Sequence, residues 1–131
     1  MAYERESQLN DERRKAYATF AQLTSKGFNI DNLETVPEVQ EAHAMVALLS
    51  EDSELLKAAE SLLWHWRGAW ISARRAYEEG ERDPFDRLGH KQQAGLLPGL
   101  RAAFVAHARE ELGVKQGKAL ELSRAPEGKN H

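Results

Sequence analysis

The sequence predicts an all-α fold: a single-domain bundle of four main helices, with a short extra helical turn and a flexible C-terminal tail. Apolar residues recur at spacings of three and four, which is typical of helices with one buried face. No segment shows the two-residue alternation of a half-buried strand, and the glycines read as helix stops. We expect the helical domain to cover residues 1–113 and the tail to cover residues 114–131.

The composition is that of an ordinary globular domain. The chain has 131 residues, of which 41% are hydrophobic and 30% are charged, and its formal net charge is −3. This charge disfavours a general polyanion binder. The absence of cysteine excludes disulfides, thiolate nucleophiles and sulfur-rich zinc sites. Because the sequence contains neither a signal-peptide pattern nor a long apolar run, we expect a soluble, cytoplasmic protein without a membrane partner.

The first helix is predicted from Glu4 to about Lys26, where Gly27 is expected to end it as a left-handed C-cap. The turn-forming segment that follows is expected to be an ordered loop. Its apolar residues would anchor it to the core. The predicted core positions of the helix and then the loop are Leu9, Ala16, Phe20, Leu23, Phe28, Ile30 and Leu33.

A second helix is predicted to begin at a capping box formed by Thr35 and Glu38, with Pro37 in its first turn, and to end near Leu49. Ser50 would cap the third helix, and the negative charges of Glu51, Asp52 and Glu54 would complement its dipole. The predicted apolar stripe of the second helix is Val39, Ala42, Val46 and Leu49, broadened by Met45 and Leu48.

The third helix, residues 53–80, contains all three tryptophans and organises the rest of the chain. At about 100° of rotation per residue, its apolar residues form one core stripe, while a ridge of small residues beside the stripe would let a second helix approach closely. The predicted stripe is Leu55, Ala59, Leu62, Trp66, Ala69, Trp70, Ala73 and Tyr77, and the ridge is Ser61, Gly68, Ser72 and Ala76.

Two apolar residues of this helix, Trp64 and Ile71, lie opposite the core stripe among charged side chains. One interpretation is that another segment of the chain packs over them. The other is that they form a contact surface, because tryptophan flanked by arginine is the composition in which interface hot spots are enriched.

The last predicted helix begins at Pro98 and ends at Gly113. Before it, Asp83 is expected to cap a short helical turn that starts with Pro84, and the polar stretch 89–95 is expected to be a mobile loop. The predicted apolar side of the last helix is Leu97, Leu100, Phe104, Ala108 and Leu112.

The residues that carry chemistry form no catalytic set. No serine lies in a nucleophile-elbow pattern, no phosphate-binding loop is present, and acidic pairs such as Glu110 and Glu111 are explained as solvated helix ends. We therefore expect no enzymatic activity and no cofactor. His43, His65 and His107 lie on or beside the core stripes of different helices, so a metal-binding bundle remains an alternative.

The favoured functional hypothesis is a non-enzymatic protein-interaction module: an adaptor, an inhibitor or a regulator that associates with itself, as a possible homodimer, or with another protein. In this hypothesis Trp64 and Ile71 anchor the interface, and Arg67, Arg74 and Arg75 orient an acidic partner. The same three arginines beside an exposed aromatic residue would also suit phosphate binding and base stacking. A nucleic-acid-binding regulator is thus the first alternative, and the metal-binding bundle is the second.

Overall fold

The computed structural model describes residues 2–34 and 38–113, and it confirms the all-α class, with 86% of the described residues helical and no strand among them. A 3₁₀ turn at Pro84–Asp86 precedes the last helix. The α-helices are α1 (Ala2–Ser25), α2 (Ile30–Glu34), α3 (Val39–Leu49), α4 (Ser53–Glu78) and α5 (Leu88–Leu112).

The core lies between α1, α3, α4 and α5, where the apolar stripes of the four long helices meet. Aromatic rings are at its centre: Phe20 and Phe104 pack edge to face with ring centroids 5.2 Å apart, and Tyr17 contacts Phe104 in the same way at 5.9 Å. The core residues predicted from the sequence and found buried are Phe20, Val46, Leu62, Trp66 and Phe104, while Trp70 and Leu100 are partly buried.

At two residues of the small-residue ridge of α4, Gly68 and Ser72, α5 approaches closely, as the composition of the ridge predicts. A Cβ atom on Gly68 would lie 3.2 Å from Gln93 Cδ, and one on Gly89 would lie 3.0 Å from Ser72 Oγ. Ser72, the later residue of α4, contacts Gly89, the earlier residue of α5, so the two helices run antiparallel. This pair shares the most extensive helix–helix contact in the described part of the chain.

The predicted loop at residues 89–95 and the helix start at Pro98 are both wrong, because α5 already begins at Leu88 and Pro98 lies inside it. Glycine in a helix interior costs about 1 kcal/mol relative to alanine, so local propensity favours a loop here. Contact with α4 offsets that cost. Gly89 permits the close approach of the two backbones, and buried His90 donates from Nδ1 to Ala69 O at 2.9 Å.

Two predictions for the segment after α1 are also wrong. Gly27 does not adopt the left-handed conformation predicted for it. The described glycines with positive φ are Gly80 and Gly113. The expected loop contains the short helix α2, whose start is stabilised by reciprocal bonds between the Asn29 and Asn32 side chains and backbone N–H groups. Leu33 anchors this segment in the core as predicted, whereas Ile30 is exposed.

In α3 the narrow stripe is confirmed but its broadening is wrong: Val39, Ala42 and Val46 are buried, Leu49 is partly buried, and Met45 and Leu48 are exposed. The reason is geometric, since α1 and α4 cover one side of this helix and leave its outer side open.

The cap of α4 also differs from the prediction. Asp52 caps α4 by accepting from the backbone N–H groups of Glu54 and Leu55, whereas Ser50 ends α3. The predicted capping box depends on Thr35 and Pro37, which lie outside the described residues, as does the tail 114–131. Glu38, the other half of that box, makes no side-chain cap bond to α3.

The remaining helix ends follow the sequence signals. Asp83 Oδ1 accepts from the Phe85 N–H at 3.1 Å and caps the 3₁₀ turn. Gly113 ends α5 in the left-handed region, at φ 68°. None of the helices in the described ranges combines the length and the apolar character that crossing a bilayer requires.

Candidate functional site

The outer face of α4 carries Trp64, a large apolar side chain that the described residues leave open. Trp64 is 68% exposed. Ile71, two turns further along the same face, is partly buried. Because most of the core stripe of α4 is buried on the opposite side, this exposure follows directly from the helical rotation that separates the two faces.

The other two tryptophans of α4 have structural roles. Trp66 is 4% exposed and stacks on Phe28, with ring centroids 5.4 Å apart. Trp70 is partly buried, and its indole Nε1 donates to Asn32 O at 2.8 Å, which ties α2 to α4. Trp64 has no comparable hydrogen bond or ring contact within the described part of the chain.

A second apolar side chain lies level with Trp64 on the neighbouring helix. Gln93 packs on Gly68, and Gln93 Oε1 accepts from His65 Nδ1 at 2.6 Å. Leu96 follows Gln93 by three residues, and Trp64 precedes Gly68 by four. Because α4 and α5 are antiparallel, moving back along α4 from Gly68 to Trp64 and forward along α5 from Gln93 to Leu96 leads in the same direction in space. Leu96 is 50% exposed.

The three arginines of the predicted surface do not act alike. Arg74 supports the fold: its Nε bonds Glu78 Oε2 at 2.8 Å, its Nη1 donates to Leu33 O, and its guanidinium lies 5.9 Å from the Trp70 ring centroid. Arg67 and Arg75 form no ion pair with any residue in the described ranges. The basic surface available to a partner is therefore smaller than the sequence predicts.

Acidic residues occupy the beginning of the same outer face. Glu54 is exposed and pairs with Lys57 Nζ at 3.5 Å, and Glu60 is exposed without an ion pair in the described residues. Burial lowers the pKa of His43, and the negative charge of Glu60 opposes this with a smaller increase. Along α4, unpaired negative charge thus precedes Trp64, and unpaired positive charge follows at Arg67 and Arg75.

His43, His65 and His107 do not gather into a metal site. His43 packs beside the Phe20 ring, with centroids 5.7 Å apart, while His65 bonds Gln93 and His107 Nδ1 lies 3.4 Å from Glu110 Oε1. Each of the three has a different neighbour. In residues 2–34 and 38–113, no group of three or more histidine, aspartate or glutamate residues is arranged to hold a metal ion.

A partly buried polar network around Glu111 joins three parts of the fold. Glu111 Oε1 accepts from Ser50 Oγ at 3.0 Å and from the Tyr17 hydroxyl, and Oε2 accepts from the Glu51 N–H at 3.0 Å. Arg13 Nη2 lies 3.9 Å from the same carboxylate. Burial, and then the bond to Glu111, raises the pKa of Tyr17 well above its usual value. The network fastens the end of α5 to α1 and to the α3–α4 connection.

This network corrects the prediction that Glu110 and Glu111 are both solvated. The Glu110 side chain is 73% exposed, whereas that of Glu111 is 10% exposed. Helical rotation separates neighbouring residues by about 100°, so only one of the two points inward. The sequence contains no local signal for the network, because its members are brought together from three distant segments.

The comparisons with known proteins give no match to a family model, to a curated protein or to a solved structure.

Proposed function

We propose that this protein is a non-enzymatic helical interaction module that associates with a protein partner, either itself or another chain, through the outer face of α4. Trp64 would anchor the contact, with Ile71 beside it, and Arg67 and Arg75 would orient the partner by charge. Arg74 would contribute by holding α2 against α4 and so keeping this face rigid, since its Nε and Nη1 already bond to Glu78 and to Leu33 O.

The exposure of Trp64 carries the proposal. A tryptophan side chain buries about 150–250 Å² when it is fully covered. Covering the exposed two thirds of Trp64 would thus remove roughly 100–170 Å² from water, which corresponds to about 2.5–4 kcal/mol. The same helix buries Trp66 and pins Trp70, so the exposure of Trp64 is specific to one face.

The test is the substitution Trp64→Glu, with Leu48→Glu as the matched control. Leu48 is 77% exposed on α3, so this variant reports nonspecific association through exposed apolar side chains rather than association through the α4 face. We expect Trp64→Glu to abolish self-association or capture of a specific protein while helicity and thermal unfolding stay nearly unchanged, and Leu48→Glu to leave association intact. Equal effects of the two variants, or unfolding by Trp64→Glu alone, would contradict the proposal.

Nucleic-acid binding is the alternative function for the same face. Arg67 and Arg75 form no ion pair with the residues that the structure describes, which favours it, but Glu60 lies on the same face and opposes it. Titration with duplex and with single-stranded DNA at several salt concentrations separates the two functions. Salt-sensitive binding that Arg67→Glu weakens would support the alternative over the protein partner.

A further inference from the structure

The outer face of α4 is charged with opposite signs on the two sides of Trp64. Glu60 precedes Trp64 by four residues, and Arg67 follows it by three. Seven residues are within about 20° of two full helical turns, so the two charges lie on one line along the helix, about 10 Å apart. Neither forms an ion pair within residues 2–34 and 38–113.

This arrangement is self-complementary. When two copies of a helix pack antiparallel about a twofold axis, residues whose numbers have a constant sum face each other. If the axis passes beside Trp64, Trp64 faces its own copy and the sum is about 128. Glu60 of each copy then lies opposite Gly68 of the other, next to Arg67. A parallel arrangement would instead bring like charges together.

The same register accommodates the rest of the face. Arg75 comes opposite Ser53, at the acidic start of the second α4, where Glu51 and Glu54 are exposed. Ile71 comes opposite Lys57, whose methylene groups can cover an apolar side chain while the ammonium group stays in water. The two copies of Trp64 meet at the axis, where an interface buries its largest side chains.

We propose that the partner of this face is a second copy of the chain, docked antiparallel through α4, with Glu60 of each copy paired to Arg67 of the other on both sides of a Trp64 contact. This inference rests on the proposed function and specifies its partner. Arg67 and Glu60 set the orientation, and Trp64 supplies the buried area.

Charge reversal tests the register, with the mass in solution as the readout. We expect sedimentation to give twice the chain mass of 14.8 kDa for the unaltered protein. Glu60→Arg and Arg67→Glu should each weaken dimerisation by roughly 10-fold, because each turns two attractive contacts into repulsive ones. The double variant should restore the affinity. Glu12→Arg, an exposed reversal on α1, should leave dimerisation unchanged.

Each outcome bears on a different part of the inference. A dimer that the double variant fails to restore overturns the antiparallel register. A protein that stays monomeric up to roughly 0.1 mM overturns the second copy as partner, although Trp64-dependent binding of another protein would still support the proposed function. A dimer that persists in Trp64→Glu overturns both proposals. Circular dichroism of every variant confirms that the helices are retained.

Discussion

Replacing Glu111 by alanine should cost more stability than its position near a helix end implies. The carboxylate accepts from the Tyr17 hydroxyl, from Ser50 Oγ and from the Glu51 N–H, and it lies 3.9 Å from Arg13. A hydrogen bond to a charged group contributes about 1.5–3 kcal/mol, so three bonds at the lower end give roughly 4.5 kcal/mol. Water can reach the exposed Glu51 N–H in the variant, which reduces the expected loss to about 3–4 kcal/mol.

The neighbouring residue provides the control for this measurement. The Glu110 side chain is 73% exposed and lies 3.4 Å from His107 Nδ1, so Glu110→Ala should change the free energy of unfolding by less than about 0.5 kcal/mol. Urea unfolding followed by circular dichroism gives both values. If the two variants lose the same free energy of unfolding, the network around Glu111 does not hold α5 to the rest of the bundle, and this role of Glu111 is refuted.

Three further predictions address the core, a helix interior and a titrating group. Trp66→Ala should lower the free energy of unfolding by about 3–5 kcal/mol, whereas Trp64→Ala should change it by less than about 0.5 kcal/mol; similar losses in urea unfolding would contradict the assignment of the two faces. Gly95→Ala should raise the free energy of unfolding by about 0.5–1 kcal/mol, because Gly95 lies inside α5 with open space at its Cβ position, and a lowered melting temperature would argue against a helix there. Burial lowers the pKa of His43 below its ordinary value of 6.5, so the neutral ring contributes stability that is present above this value and is lost as pH falls through the lower pKa of the folded state. Unfolding measured from about pH 7 to about pH 5 should therefore show a decline that His43→Gln reduces, and an unchanged slope would contradict it.

The candidate site was predictable in part. The rotation of α4 alone places Trp64 opposite Trp66, because helical periodicity is a local property of the chain. The sequence could not decide whether another segment covers Trp64, since that depends on where distant helices pack. It also could not separate Arg74 from Arg67: the contact of Arg74 with Leu33 joins positions 41 residues apart.

The sequence by itself determined the helical class, the two faces of α4 and most of the helix ends, because spacing, capping residues and glycine conformation act within a few residues. Only the tertiary structure decided that α5 starts ten residues before Pro98 and that Glu111 is largely buried while Glu110 is exposed. Contact between α4 and α5 stabilises a helix through glycines that would favour a loop in isolation, and burial at the meeting point of three segments selects one of two adjacent carboxylates. These are packing effects between residues far apart in the chain, which no local pattern records.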